Sequence, residues 1–318
     1  MAESQEISIF NMPKVVAICI SDRRGIQKKA VKSAVFLENF GIEGDAHGGK
    51  WHRQVSVLQH EAIEDFKARG AEICPGAFGE NLIIDGIDFE HLPIRSLLKI
   101  GDVVLEATQH GKECHTHCQI YHKMGECIMP RLGTFFEVRH GGEVKVGDEV
   151  KIIPNEDERF TTAVITLSDR SFNKERDDLS GPAIVKRLEE NNYIVAEYVL
   201  IPDNKELCER QLKRLCDQRE VDLILTTGGT GFSSKDITPE ATKAVIEKEV
   251  PGISEAIRAE SMKITKNAML SRGISGIRKH TLIINLPGSP KACMESMDVF
   301  LDVIPHGLNL LRGKKVDK

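Results

Sequence analysis

The sequence predicts two domains of different fold class: an N-terminal mostly-β barrel, and a C-terminal α/β domain of three layers with a mainly parallel sheet. The chain has 318 residues, which is long for one hydrophobic core and favours two. The hydrophobic pattern also changes across an acidic, proline-containing stretch, "PNEDER" at 154–159. We therefore assign residues 1–154 to the first domain, 155–159 to a linker and 160–318 to the second domain.

Short apolar runs separated by turn residues indicate the barrel of the N-terminal half. The runs are "KVVAICIS", "RQVSVLQ", "ENLIIDG", "DVVLEATQ" and "EVKVGDEVKII". Gly–Asp pairs stand beside such runs at Gly44–Asp45, Gly101–Asp102 and Gly147–Asp148, where tight turns are expected. Regular short strands with these turns are typical of a barrel or rolled sheet, and one helix is predicted at about His60–Arg69.

Strand-like and helix-like segments alternate in the C-terminal half. Strands are predicted at "TTAVITLS", "YIVAEYVLI", "VDLILTT" and "TLIINL". Helices are predicted at "GPAIVKRLEENN", at "NKELCERQLKRLCDQ", at two stretches before the last strand, and from about Lys291. Because the strands are largely apolar, this alternation predicts a parallel sheet that helices cover on both faces.

The composition is that of an ordinary globular protein, with 41% hydrophobic and 29% charged residues. A formal net charge of −5 argues against a nucleic-acid-binding protein, which usually carries a basic domain. No apolar stretch approaches the ~18–20 residues that span a bilayer, and the first residues do not resemble an export signal. We therefore expect a cytoplasmic protein without a membrane partner, whose eight cysteines are reduced thiols.

A glycine-rich stretch, "TTGGTG" at 226–231, follows one of the apolar strands. Ligands of open parallel sheets bind beyond the carboxyl ends of the strands, and glycines let successive N–H groups approach an anion. The stretch matches neither GxxxxGK[ST] nor GxGxxG, which excludes a P-loop and a dinucleotide fingerprint. A phosphate-binding loop and a turn without a ligand both remain open at this point.

Two aspartates near the ends of predicted strands are candidate magnesium ligands. In "KDITPEA", Thr238 can cap a helix with Pro239 at its first position, which leaves Asp236 without a structural role. A carboxylate beside a phosphate loop suits Mg²⁺ that bridges phosphates. Asp203 follows another strand and forms a possible capping box with Glu206, so capping and function are both open for it.

An ordered series of motifs in the C-terminal half resembles the molybdopterin-binding family of MogA/MoaB type. The motifs are "ITLSDRS", "DLSGP", "LIPD", "LTTGGTG", "KDITPEAT", "PGISEAIR", "AMLSRGISGIRKHTLIINLPGSPK" and "HGLNLL", which together cover about residues 160–312. The resemblance implies a molybdopterin adenylyltransferase, which transfers AMP from ATP to the terminal phosphate of molybdopterin with a divalent cation, Mg²⁺. It also implies a homotrimer or hexamer formed through this half.

The resemblance assigns the site residues by motif. Asp203 and Asp236 take the two catalytic, metal-associated acid positions. Family members often carry several basic residues before the second acid, whereas here Lys235 stands alone. The nucleotide and phosphate loop contains Thr227, Gly228, Gly229, Thr230 and Gly231, and the loops of the pterin–phosphate groove contain Ser271, Arg272, Pro287, Gly288 and Ser289.

Cysteines and histidines crowd into "GKECHTHCQIYHKMGEC" at 111–127. Zinc suits these ligands, although the spacing lacks a second paired motif. Buried inert thiols are another interpretation, and a reactive thiolate favoured by the neighbouring cations is a third. The residues concerned are Cys114, His115, His117, Cys118, His122 and Cys127, beside Lys112.

The N-terminal half resembles the MOSC domain, named for the C-terminal domain of molybdenum-cofactor sulfurase. The motifs are "NFGIEGDAHGGKWHRQVSVLQHEAI", "PGAFGENLIIDGID", "LLKIGDVVLEATQHGKEC" and "EVKVGDEV". The resemblance implies a domain that binds the metal–pterin or carries sulfur on a cysteine, with Cys114 the closest match and Cys118 the second. It places Gly44, Asp45, His47 and Arg53 in a cofactor-binding segment, although a loop with no ligand and a solvated arginine also fit these residues.

Both resemblances concern one ligand, molybdopterin or the molybdenum cofactor. A bifunctional cofactor-maturation protein is therefore expected, since tethering raises the local concentration of an intermediate. Its expected partners are a sulfur donor or a molybdenum-insertion protein. A non-catalytic carrier of the cofactor is the alternative, against which the two candidate magnesium ligands argue.

Overall fold

The computed structural model describes residues 12–114 and 119–314. The chain divides into two compact units between Glu156 and Asp157, called the N-terminal and C-terminal units below. The predicted linker, 155–159, spans this position. Among the described residues, no helix is long and apolar enough to cross a membrane.

The N-terminal unit consists mainly of short strands. The strands are β1 (Lys14–Ile20), β2 (Lys29–Val31), β3 (Ser33–Leu37), β4 (Gly41–Ile42), β5 (Val55–Gln59), β6 (Leu82–Asp85), β7 (Leu97–Ile100), β8 (Val103–His110), β9 (Thr134–His140), β10 (Gly142–Lys145) and β11 (Val150–Ile153). The helices are α1 (His60–Ala68), α2 (Gln119–Met124) and α3 (Met129–Leu132). The helix predicted at about His60–Arg69 is therefore confirmed.

Eight strands form one sheet in the order β11-β7-β8-β9-β5-β6-β1-β2, and β10-β3-β4 form a second. Strands β5 and β6 run parallel, while the other pairs are antiparallel. The predicted barrel is not confirmed, because the pairing of the described strands gives an open order rather than a closed one. The segments around β1 and β11 are nevertheless hydrogen-bonded to each other. Val15 N donates to Asp148 O at 2.9 Å, and Val150 N donates to Pro13 O at 2.8 Å.

Buried and more exposed side chains alternate along the strands of the main sheet, so that one face of the sheet packs into a hydrophobic core. Strand β8 shows the pattern, with Val103, Leu105 and Ala107 buried in the core beside the rings of Phe89 and Phe136. The predicted Gly–Asp turns need a left-handed backbone, which glycine adopts without strain. The three turn glycines have φ of +77° at 44, +59° at 101 and +95° at 147.

The C-terminal unit alternates strands and helices. The strands are β12 (Thr161–Leu167), β13 (Ile194–Ile201), β14 (Leu223–Thr227), β15 (Lys248–Glu249), β16 (Ser275–Arg278) and β17 (Thr281–Leu286). The helices are α4 (Asp169–Phe172), α5 (Ser180–Glu190), α6 (Lys205–Asp217), α7 (Thr238–Lys243), α8 (Pro251–Ile264), α9 (Pro290–Phe300) and α10 (Ile304–Leu311), with a 3₁₀ helix at Lys266–Leu270.

The sheet of this unit is mainly parallel, as predicted. Its order is β13-β12-β14-β17-β16-β15, and the first four strands run parallel. Neighbouring side chains of β14 enter opposite layers: Leu223 and Leu225 pack with α5, α8, α9 and α10, whereas Ile224 packs with α6 and α7. The three-layer arrangement follows from this alternation, because the central strands β12, β14 and β17 bury apolar side chains on both faces.

The parallel strands bring four loops to one edge of the sheet. Register pairs Leu167 with Ile201 at the ends of β12 and β13, and Thr227 with Leu286 at the ends of β14 and β17. The segments that follow these strands therefore meet at the carboxyl edge, where open α/β sheets bind ligands.

Candidate functional site

The glycines after β14 are required by the backbone and by close packing. Gly228 and Gly229 have φ of +95° and +63°, a left-handed conformation that other residues rarely adopt. A Cβ atom on Gly228 would lie less than 3.0 Å from the carbonyl oxygen of Leu167, and one on Gly229 less than 3.0 Å from Thr238 Oγ1. The chain thus makes a tight turn at the strand end, in which neither glycine position has room for a side chain.

Thr238 holds this turn rather than capping the next helix, so the capping prediction is wrong. The position before helix α7 is Ile237, which makes no capping hydrogen bond. Thr238 Oγ1 donates instead to Gly228 O at 2.8 Å, and Thr238 N donates to Gly229 O at 3.1 Å. The threonine therefore holds the carbonyl groups of both glycines.

Asp203 does not cap helix α6. The capping residue is Asn204, whose Oδ1 accepts from Leu207 N at 2.8 Å. Asp203 forms a reciprocal pair with Asp169, the first residue of α4: its N–H donates to Asp169 Oδ1 at 3.0 Å, and its Oδ2 accepts from Asp169 N at 3.0 Å. The capping interpretation is wrong, and the loops after β12 and β13 are joined through their acids.

Asp236 has a structural role as well, contrary to the sequence-based interpretation. Its Oδ2 accepts from Ser233 N at 2.8 Å, and its N–H donates to Ser233 O at 2.9 Å. The same oxygen lies 2.9 Å from the position that a Cβ on Gly231 would take. The Asp236 carboxylate is thus held beside the glycine turn by its own loop.

The acids of this edge are electrostatically coupled. Burial, together with the charges of Asp169 and Asp236, raises the pKa of Asp203 above its ordinary value. A hydrogen bond from the Lys235 ammonium, whose Nζ lies 2.5 Å from Oδ2, lowers the pKa of Asp169. Sequence analysis missed Asp169, although it lies in the motif "ITLSDRS".

The donor chemistry of the edge fits a divalent cation in part. Carboxylate oxygens are the ligands that Mg²⁺ takes, and repulsion from Asp169 and Asp236 at Asp203 is what a cation would relieve. Within residues 12–114 and 119–314, however, no three His, Cys, Asp or Glu side chains are arranged to hold a metal ion. The site therefore fits an ion held by one or two carboxylates, with phosphate oxygens supplying the remaining ligands, as is usual for Mg²⁺.

The loop after β17 packs against the glycine turn. Thr227 Oγ1 donates to Pro287 O at 2.6 Å, and Ser180 Oγ donates to Gly288 O at 2.9 Å. Gly288 packs beside Gly228, since a Cβ on Gly288 would be in van der Waals contact with Gly228 Cα at 3.5 Å. Ser289 caps helix α9, since its side chain accepts from Ala292 N at 3.3 Å. The predicted phosphate loop and this part of the predicted pterin groove are therefore adjacent.

Arg272 ties the glycine loop to the Asp236 loop. Its N–H donates to Thr230 O at 2.9 Å, its Nε to Gly231 O at 2.6 Å and its Nη2 to Asp236 O at 2.6 Å. Its remaining guanidinium nitrogen pairs with Glu240. Arg272 thus positions the site through backbone carbonyls, while Ser271 stands half-buried beside it.

In the N-terminal unit, Asp45 anchors the glycine-rich segment from behind. The side chains of Asp45 and Lys28 are 0% and 1% exposed, and their charged atoms lie 2.7 Å apart. The Asp45 carboxylate also accepts from Asn81 Nδ2 at 3.0 Å and from His47 N at 2.8 Å. The structure therefore places Asp45 in a buried network that holds the backbone of His47, rather than on a surface that a cofactor reaches.

Cations and aromatic rings alternate beside this segment, around the half-buried Trp51 and the buried Phe135. The Arg53 guanidinium carbon lies 4.9 Å from the ring centroid of Trp51 and 5.8 Å from that of Phe135. Arg24 lies 5.8 Å from Trp51, and Lys112 Nζ lies 5.9 Å from Phe135. We call these five residues the cation–aromatic row; it groups three cations around the rings of Trp51 and Phe135.

The candidate reactive cysteines are only partly described. Cys114 is exposed, whereas Cys118, His115 and His117 lie outside the described residues. Burial raises the pKa of the Cys19 thiol to about 12, which makes it a poor nucleophile. The described cysteines are free thiols, as expected. The zinc prediction stays open, because three of its six candidate ligands lie outside the described residues.

The C-terminal unit is thus an α/β protein of the class that places a glycine turn and carboxylates at the carboxyl edge of a parallel sheet, where phosphate-bearing ligands bind. A family model described as "Probable molybdopterin binding domain" matches residues 163–306. A second model, the MOSC domain, matches residues 43–151.

Curated relatives match the C-terminal half. Molybdopterin adenylyltransferase of Helicobacter pylori strain J99 is 43% identical over 152 residues, which are 47% of this chain and 86% of that protein. Molybdenum cofactor synthesis protein cinnamon of Drosophila melanogaster is 41% identical over 157 residues, but the match spans only 26% of its length. A crystal structure of MoaB from Thermus thermophilus is 43% identical, covers 50% of this chain and 99% of its own, and has a TM-score of 0.47. The chain belongs to the molybdopterin adenylyltransferase family through its C-terminal half, and it carries a MOSC domain in its N-terminal half.

Proposed function

We propose that the C-terminal unit transfers AMP from ATP to molybdopterin with Mg²⁺. The observation that carries the proposal is the shared edge at which the glycine turn, Asp203 and Asp236 meet. The 43% identity to a molybdopterin adenylyltransferase supports it.

In the proposed reaction the turn at 228–231 faces the phosphates of ATP with its backbone N–H groups. Asp203 and Asp236 hold Mg²⁺, which neutralises phosphate charge when bound. The loop with Gly288 and Ser289 lies against the turn and would receive the terminal phosphate of molybdopterin. A phosphate oxygen of the pterin forms a bond to the α-phosphorus of ATP, while the bond to the leaving pyrophosphate breaks.

This chemistry asks the protein for position and for charge neutralisation rather than for a covalent intermediate. Thr238, Arg272 and Ser180 supply position, since each hydrogen-bonds a carbonyl of a site loop. The carboxyl edge of the sheet brings aspartates next to anionic substrates. A cation is therefore needed to reduce the repulsion between these negative charges.

Pyrophosphate release from ATP, Mg²⁺ and molybdopterin tests the proposal. Asp203→Asn and Asp236→Asn keep an oxygen that can accept the hydrogen bonds from Asp169 N and Ser233 N, so both variants are expected to fold. They lose the charge that holds the cation, and we expect at least a ~100-fold lower rate, since one preorganised charge is worth about that much. Glu260→Gln, on helix α8, is the matched control for charge. Wild-type rates in both Asn variants would end the assignment.

We further propose that the N-terminal unit binds the cofactor, or carries sulfur for it, through Cys114 or Cys118. The MOSC match, the cation–aromatic row and the exposure of Cys114 support this. Trp51 is the single tryptophan of the chain, so its fluorescence reports binding at the row. Quenching by molybdopterin that Arg53→Gln weakens would support binding, and mass labelling of Cys114→Ser and Cys118→Ser variants by a persulfide donor identifies the carrier thiol.

With both proposals, the chain is a bifunctional cofactor-maturation protein of the cytoplasm that meets a sulfur donor or a molybdenum-insertion protein. A homotrimer or hexamer formed through the C-terminal unit is part of the proposal. Light scattering of the purified chain tests the assembly. A chain that binds molybdopterin and ATP without releasing pyrophosphate would instead be a non-catalytic carrier.

A further inference from the structure

Lys235 connects two loops of the proposed site through one ion pair. It stands directly before Asp236, in the loop after β14, yet its ammonium lies 2.5 Å from Oδ2 of Asp169, in the segment after β12. The two residues are 66 positions apart in the chain. The Lys235 side chain is 68% exposed and the Asp169 side chain 31% exposed, so the pair lies at the open rim of the site.

Asp169 uses its two carboxylate oxygens for different partners. Oδ1 accepts from Asp203 N at 3.0 Å, and Oδ2 accepts from Lys235 Nζ. One oxygen thus holds the loop of a proposed magnesium ligand, while the other holds a cation. The two functions are separable, because an asparagine keeps an oxygen for the first and loses the charge needed for the second.

We propose that Lys235 is a phosphate-binding residue. Without ATP its ammonium group pairs with the Asp169 carboxylate, and when ATP binds it leaves this carboxylate and pairs with a phosphate group of ATP. Asp169 is then a positioning residue that keeps the ammonium at the site mouth. The proposal rests on the proposed adenylyl transfer and deepens it by assigning the residues that select and orient the polyphosphate.

The geometry suits an exchange. A lysine ammonium is a compact charge on a flexible stem, and an exposed ion pair is weak enough to break when a stronger anion arrives. The glycines of the turn supply only backbone N–H groups, and the Arg272 guanidinium is engaged with carbonyls and Glu240. Lys235 is the cation that lies beside Asp203 and Asp169 at the rim, so a triphosphate entering the edge meets it there.

A double-mutant cycle tests the exchange with Mg²⁺ and α,β-methylene-ATP, whose binding is measured by calorimetry on the full chain. Lys235→Met removes the cation and is expected to weaken binding by about tenfold, the value of a charge-assisted hydrogen bond. Asp169→Asn releases the lysine and is expected to tighten binding by about two- to fivefold, which corresponds to the loss of an exposed ion pair. In the Lys235→Met background, Asp169→Asn is expected to tighten binding clearly less than it does in the wild-type chain, because only the direct repulsion between Asp169 and the phosphates is then removed.

Glu260→Gln is the matched control, since Glu260 pairs with Lys263 at 2.7 Å on helix α8 and the variant changes net charge equally. It should leave binding unchanged. Equal tightening by Asp169→Asn with and without Lys235, or weaker binding in Asp169→Asn alone, would overturn the exchange. If wild-type chain does not bind the analogue, the proposed function fails as well; if it binds and transfers AMP but the cycle is additive, only the exchange fails. Thermal melting of each variant excludes unfolding as the cause.

Discussion

Replacing Gly228 by alanine tests directly whether the turn at the end of β14 needs glycine. At φ +95° an L-residue is strained by roughly 1–2 kcal/mol. The new Cβ would also lie less than 3.0 Å from Leu167 O, a backbone atom of β12 that has to move, and such overpacking costs about 1–3 kcal/mol. We expect a loss of about 3 kcal/mol in the unfolding free energy of the C-terminal unit, which is roughly 6–12 °C in Tm.

Differential scanning calorimetry measures this loss, and pyrophosphate release measures the accompanying loss of activity. Gly252→Ala is the matched control: Gly252 lies in helix α8, and a Cβ on it meets nothing within 4 Å. That variant should keep its Tm or gain up to about 1 kcal/mol from helix propensity. If Gly228→Ala and Gly252→Ala melt together and remain active, the argument that backbone conformation and packing require glycine at the site is refuted.

Lys28→Met removes the ammonium group that neutralises the buried Asp45 carboxylate and should cost the N-terminal unit about 3–5 kcal/mol, measured by urea denaturation followed through Trp51 fluorescence. Burial opposes ionisation of Asp45, but hydrogen bonds from His47 and Lys28 hold its pKa below the ordinary value. The stability from this group is therefore present above the unfolded pKa of about 4 and falls as pH decreases through the lower folded pKa; equal urea midpoints at pH 6 and pH 2 would contradict this. Thr238→Val removes the donor to Gly228 O and should lower the unfolding free energy by about 1–3 kcal/mol, whereas a serine should restore it, as calorimetry can show. In an iodoacetamide pulse read by peptide mass spectrometry, exposed thiols should react first and buried thiols last; early labelling of the buried ones would contradict the fold. The exposed thiols are Cys74 and Cys114, and the buried ones, whose pKa burial raises to about 11 or 12, are Cys19, Cys208, Cys216 and Cys293.

The sequence was sufficient to predict the α/β architecture, because strands that helices cover on both faces are recognisable as apolar runs that alternate with helical segments. The strands of the parallel sheet are largely apolar, and the glycines at 228 and 229 interrupt that pattern where the chain turns. The sequence-based prediction missed β16 and the edge strand β15, which continue the sheet beyond β17 in antiparallel pairing. They are short, and their residues carry no run long enough to indicate a strand.

The interactions that shape the site could not be predicted, because they join residues distant in the chain. Asp169 and Asp203 are 34 positions apart, and their reciprocal hydrogen bonds depend on the parallel register of β12 and β13. Local capping rules gave Asp203 and Thr238 plausible roles at helix ends, yet both side chains bond across loops instead. Local sequence patterns were enough to locate the loops of the site, whereas the tertiary fold determined which residues the side chains of those loops bond.

The mass of the pterin recovered after incubation with ATP and Mg²⁺ tests the central claim most directly. If the glycine turn, Asp203 and Asp236 bind a polyphosphate with its cation, the recovered pterin is heavier by one AMP group, and pyrophosphate accumulates in equal amount. Asp203→Asn should return the pterin at its original mass. An unmodified pterin from the wild-type chain, with ATP intact, would contradict the account.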